Sequence, residues 1–213
     1  MTRKKTFLWA GLLLATLVVA QLSCGGGGMK QSTNSISPSS PTTGQDLCVC
    51  TDTTPASSDF RTDAKHVPLP QIAANEISVG TILSWPVPAE PAFDAARQGR
   101  ELQLFHISQA FLQFAWLNTG DCDLHLEISD SQDKNAPRVI VETPFGDTFC
   151  SARRQLGMQL SAKGFTLSSS SGELPTAVAV DVVGLAFQDF NHLRGTPHVA
   201  TVWELHPAVV TLK

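Results

Sequence analysis

The chain has no tyrosine, only three methionines, and a charged fraction of just 16% over its 213 residues. The missing tyrosine removes one common general acid and one common stacking side chain. There is no Gly-x-Ser-x-Gly elbow, no His-Glu-x-x-His helix and no phosphate-cradling glycine loop. The three commonest short signatures of hydrolases and nucleotide-binding enzymes are therefore absent. Internal repeats are absent too. The one long apolar run, Phe7 to Ala20, falls short of the ~20 residues that span a bilayer as a helix.

That run has a context. Arg3, Lys4 and Lys5 precede it, and Ser23 and Cys24 follow it. A basic start, a short apolar stretch and a small residue before the cut describe a secretory signal peptide over residues 1–23. Leu22-Ser23-Cys24 resembles a bacterial lipobox, in which the cysteine is lipidated and becomes the new N-terminus. Gln21 stands where the usual leucine would be. The expected address is extracytoplasmic, held to a membrane by the lipid on Cys24, with plain secretion as the alternative. Four glycines follow Cys24, as suits a flexible tether.

Cleavage before Cys24 would remove three of the 15 basic residues and none of the 19 acidic ones, taking the formal charge from −4 to −7. Nonspecific nucleic-acid binding depends on Lys and Arg neutralising phosphates. The acidic balance argues against that partner and towards a protein, peptide or glycan.

Residues 24–66 are rich in Gly, Ser, Thr and Pro. Such a segment buries too little apolar surface to offset its ordering entropy, and reads as a tether. A proline-rich lead-in follows over 67–99. The remaining cysteines are Cys48, Cys50, Cys122 and Cys150, and an exported chain can keep disulfides. Four cysteines allow three pairings. Cys122 and Cys150 share the expected domain, so a bridge between them is favoured. It would close a loop of about 28 residues, worth roughly 3–4 kcal/mol on the chain-entropy estimate. Cys48-Val49-Cys50 reads as a linker feature or a local bridge.

The compact domain is expected over 100–213, with mostly strand character. Leu102 to Asn118 reads as a long first strand, ended by the turn Asn118-Thr119-Gly120-Asp121. Cys122 to Ser129 alternates strictly, and Arg138 to Thr143 is a short apolar strand stopped by Pro144. A helix fits within 147–163. Ala177 to Phe190 is a long strand with a bulge or bend at Gly184, and Val199 to Leu212 is the last strand. Three strands, a helix and two strands in this length give the order of a small five-strand OB-like barrel, with a β-sandwich as the rival.

Asp121, Asp123, His125 and Glu127 fall on one face of the second strand, because side chains alternate. A solvated outer face is the plain reading. The sharper one is a cation site, with Asp121, Asp123 and His125 as candidate ligands for a divalent metal. Five more polar residues sit in apolar surroundings: Glu142, Asp189, His192, Glu204 and His206. With His125 they form the candidate catalytic set. The second and third strands are antiparallel neighbours in such a barrel, so His125 is expected near Glu142. One cluster or two separate ones are both open.

Taken together, the segments Gly120 to Glu127, Arg138 to Pro144, Gly184 to His192 and Trp203 to Pro207 resemble an uncharacterised family of exported bacterial domains. The resemblance covers residues 100–213 and implies no activity, since that family has none established. Two functions follow from the residues. The first is a noncatalytic binding or interaction module with no cofactor. The second is a metal-assisted hydrolase, for instance a nuclease, in which carboxylates and imidazoles hold a divalent ion that activates water.

Overall fold

The computed structural model describes residues 46–50, 60–190 and 198–213. Cys24, the signal segment and His192 lie outside them. The compact unit is Thr42–Lys213.

Among the described residues six strands make one sheet. They are β1 (Asn75–Glu76), β2 (Leu104–Leu117), β3 (Leu124–Ser129), β4 (Val139–Thr143), β5 (Glu173–Gln188) and β6 (Trp203–Leu212). Their order is β1-β2-β3-β4-β6-β5, and β5 returns to pair with β2. The last pairing closes β2 to β6 into a barrel, with β1 added parallel to the outer edge of β2. Only β4 and β6 run parallel within the ring; the other neighbours are antiparallel. This is the OB arrangement, and it leaves no open edge among the five strands.

Alternation explains which residues enter the barrel. Leu124, Leu126 and Ile128 of β3, Val139 and Val141 of β4, and Leu205 of β6 belong to the main apolar core. Their neighbours His125, Glu127, Ile140, Glu142, Glu204 and His206 therefore lie on the outer face. Gly184 bends β5 where it crosses β6. A side chain there would meet Ala208 Cβ at 2.6 Å and the Pro207 carbonyl at 2.9 Å. The close approach demands glycine and brings the register shift seen between Gly184 and Ala186.

The helix α3 (Asp147–Ala162) joins β4 to β5. Its buried residues Phe149, Arg153, Leu156 and Leu160 recur at helical spacing. Leu156 and Leu160 reach the barrel core.

The segment before the barrel is more ordered than its composition suggests. A helical turn, α1 (Thr62–Lys65), is followed by α2 (Val79–Leu83). Val79 and Ile82 of α2 are fully buried in the core. The α2 N-terminus is held by Ser78 and by Asp130, which accepts from the Val79 and Gly80 amides. Arg61 forms a two-pronged ion pair with Glu101 (2.7 and 2.9 Å) and lies over the Phe187 ring. The stretch read as tether and lead-in thus supplies a strap across the barrel. Composition alone gave no hint of it, because a few large side chains do the anchoring.

The disulfides correct one expectation. Cys122 and Cys150 are both bridged, but not to each other: Cys48 pairs with Cys150 and Cys50 with Cys122. Cys48-Val49-Cys50 is neither a linker feature nor a local bridge. Buried Arg153 explains why this short segment docks. Its guanidinium donates to the carbonyls of Leu47, Thr143 and Cys122, while Leu47 packs over Gly157. The two cysteines are thereby carried to the end of the barrel where α3 and the β2–β3 turn meet. Paired bridges of this kind belong to chains that fold outside the reducing cytoplasm. Among the described residues no helix is long and apolar enough to cross a membrane.

Candidate functional site: a buried histidine–carboxylate row

The outer faces of β3, β4 and β6 carry a row in which imidazoles alternate with carboxylates and which runs on to Arg138 and Glu173. His66, just after α1, places Nε2 3.2 Å from Asp123 Oδ2. The same oxygen lies 3.2 Å from His206 Nε2. His206 Nδ1 lies 2.9 Å from Glu142 Oε2. The other Glu142 oxygen, Oε1, meets His125 Nδ1 at 2.9 Å. His125 Nε2 then approaches Glu127 at 3.5 Å, and Glu127 meets Arg138 at 3.2 Å. Arg138 ends the row at half-exposed Glu173, 2.7 Å away.

Register builds this row. His125 stands opposite Glu142 across the β3–β4 ladder, and Val141 stands opposite Leu205 across the parallel β4–β6 pair. One residue further along each of those strands puts Glu142 beside His206. Asp123 precedes β3 and follows Cys122, whose φ of 65° turns the chain out of the strand. Its Oδ1 accepts from the Phe145 amide at 2.8 Å, which fixes the carboxylate.

Almost all of the row is shut away from water. Asp123, Glu127 and His206 are 0% exposed. Phe187 and His66 flank the His206 ring at 5.7 and 6.0 Å between centroids. His66, with 23% of its side chain exposed, opens one end of the row to solvent, and Glu173, with 44%, opens the other. Its sequence neighbours Ala64 and Val67 line a surface cleft of about 680 Å³.

Charge complementarity sets the protonation. Burial opposes a charge on His125, but Glu127 and Glu142 override it and hold the imidazole up at about 10. Burial likewise opposes the charge on Asp123, yet His206 and His66 keep its carboxyl down at about 2. Glu142, between two imidazoles, is held well below the usual carboxylate range against the same burial. His206 rises above its usual value, again against burial, through the two carboxylates beside it. Neither ring nitrogen of His206 makes a hydrogen bond of proper geometry with those carboxylates. We therefore assign the upward shift to charge. Asp121 goes the other way: burial first, then Glu142 and Asp123, push it up to about 7.

Of the six residues in the candidate catalytic set, four come together: His125, Glu142, Glu204 and His206. Glu142, Glu204 and His206 bring ligand atoms within 4.8 Å of one another. Asp189 lies apart, its Oδ1 accepting from the Phe190 amide. Of the candidate metal ligands, Asp121 and Asp123 group with Glu142, whereas His125 is drawn to Glu142 and Glu127. Sequence reasoning missed His66 and Arg138. His66 sat in a stretch read as tether, and no local pattern marks it. Arg138 opens a strand that was recognised, and a buried acid at Glu127 demands a cation, so that partner could have been sought. Comparison with protein-family models, curated proteins and solved structures finds no match to this chain.

Proposed function

We propose that this chain is a noncatalytic binding module of an extracytoplasmic lipoprotein. Its ligand would be a protein, peptide or glycan, taken across the outer face of β2 and β3. The observation that carries this reading is an aromatic row on that face. Half-buried Phe114 and Trp116 stand edge-on to half-buried His125, with centroids 6.3 and 5.9 Å away. The OB arrangement commonly binds across its second and third barrel strands, here β3 and β4; the aromatic row borders that face through His125 on β3, and the fold-level analogy supports the reading only as such. A hydrolase would need its polar groups around an open cleft. Here Glu142, Glu204 and His206 are at most 6% exposed, so a substrate cannot reach them without moving the strap. The anchor part of the reading rests on the apolar leader, Cys24 and the disulfides. The formal charge of −7 expected after cleavage keeps nucleic acid out of the partner list.

Peptide and glycan arrays probed with the purified protein test the binding surface. Capture that falls at least tenfold in Trp116→Ala supports it. Capture that is unchanged by Trp116→Ala, or no capture at all, rejects it. Cell fractionation of Cys24→Ser tests the anchor: release from the membrane fraction is expected, and a variant that stays bound refutes lipidation.

A further inference from the structure

We propose that His66, Asp123 and His206 form a binding site for one divalent transition metal, zinc being the best fit. The three residues bring one ligand atom each within 4.8 Å of one another. Two Nε2 atoms face a single carboxylate oxygen, each at 3.2 Å. Ligands placed about 2.0–2.1 Å from a tetrahedral zinc lie about 3.3 Å from each other. The spacing is already that of a coordination edge.

A second observation points the same way. His206 is 0% exposed, and neither of its ring nitrogens has a hydrogen bond of proper geometry. A buried imidazole in that state lacks the partners that buried polar groups normally have. A metal on Nε2 satisfies one nitrogen through its lone pair. Nδ1 then keeps the Glu142 carboxylate beside it as a charge partner, with Oε2 2.9 Å away. Carboxylates placed on the far nitrogen of a ligating histidine are the usual outer partner of such sites. Glu142 is itself fixed by His125, and Asp123 by the Phe145 amide. The first contact steadies the outer partner of His206, and the second holds the ligand Asp123 itself in place.

Imidazole and carboxylate donors suit zinc and its first-row neighbours better than calcium or magnesium, which prefer oxygen alone. His66 is the partly exposed ligand, with 23% of its side chain open to solvent, whereas Asp123 and His206 are fully buried. The three ligands come from the strap, the β2–β3 turn and β6. A metal there would fasten the strap to the barrel. The site does not use the aromatic face proposed above, and its test reads metal and not ligand, so either can fail alone.

The test uses untagged protein stripped with chelator. Zinc is titrated calorimetrically, and cobalt(II) is followed by its visible absorption. One equivalent should bind, with cobalt bands of tetrahedral intensity. His66→Ala, at a partly exposed position that should not disturb folding, should weaken binding at least tenfold. His106→Ala, a histidine flanked by carboxylates elsewhere on the barrel, should leave it unchanged. No binding by the parent protein, or equal binding by parent and His66→Ala, overturns the proposal.

Discussion

His106 and His206 each stand between two carboxylates, and they live under different rules. His106 on β2 lies 2.6 Å from Glu76 and 2.9 Å from Asp181, with 30% of its side chain in water. His206 on β6 lies between Asp123 and Glu142 with none. The sequence chemistry is the same. At His106 the charges are screened, and the trio merely tacks β1 and β5 to β2. At His206 every charge depends on its neighbour, because an unpaired ion in that place has no solvent to turn to. Contact distance does not separate the two sites; solvent does.

The largest effect should come from breaking the buried side. Glu142→Ala strips His125 and His206 of their shared carboxylate. Removing one partner of a buried pair costs about 3–5 kcal/mol. The urea midpoint should fall accordingly. A change below 1 kcal/mol would mean that the two imidazoles discharge freely and that the row is not charged.

A second, slightly smaller effect tests why the buried side can hold its geometry at all. The bridge Cys50–Cys122 ends one residue before Asp123, whereas no described disulfide touches β1 or β2. The double variant Cys50→Ser, Cys122→Ser should lose about 2–5 kcal/mol. Amide exchange should accelerate around Asp123 to Leu126 and stay unchanged at His106 and Ile107. Equal acceleration at both places would erase the distinction between the two regions.

The smallest effect belongs to the exposed side and depends on pH. Bonding to Asp181 raises His106 above its usual value, against a smaller opposing effect of burial. Its stabilisation is therefore full below the unfolded value of about 6.5 and fades as pH rises through the raised one. His106→Gln should cost less than about 1 kcal/mol at pH 5.5, as exposed pairs do, and nothing in strongly alkaline solution. Thermal melts of both proteins across that range check the sign. A cost that grows with pH would contradict it.

How much of this could be read from residues alone follows the range of each interaction. The alternation of Cys122 to Ser129, the punctuation at Gly184 and the helix before residue 163 are local, and each marks its element. From those elements the strand order follows, and with it the meeting of His125 and Glu142 across neighbouring strands. His206 joining them needed one further pairing, the parallel contact of β4 and β6, which no local pattern announces. The disulfide pairing was out of reach for a similar reason. It depends on where Arg153 draws Leu47, and that attraction acts over more than a hundred residues of chain. His66 was hidden by its surroundings. A segment poor in apolar residues reads as tether even when Phe60, Arg61 and His66 each find a slot on the barrel.

The nested disulfides also decide how this protein carries load. A pull applied anywhere N-terminal to Cys48 does not run along the strap or through β1 to β4. It crosses at once from Cys48 to Cys150, and the Cys50–Cys122 bridge lies nested inside the loop so closed. The strap with His66, and Asp123, His125, Glu127, Arg138 and Glu142, lie inside the covalent loop that tension bypasses, whereas Glu173 and His206 lie beyond it. Only the chain after Cys150 can be drawn out when the two ends are pulled apart. A protein tugged from its N-terminal side would therefore keep the His66, Asp123 and His206 corner slack until β5 or β6 had peeled away.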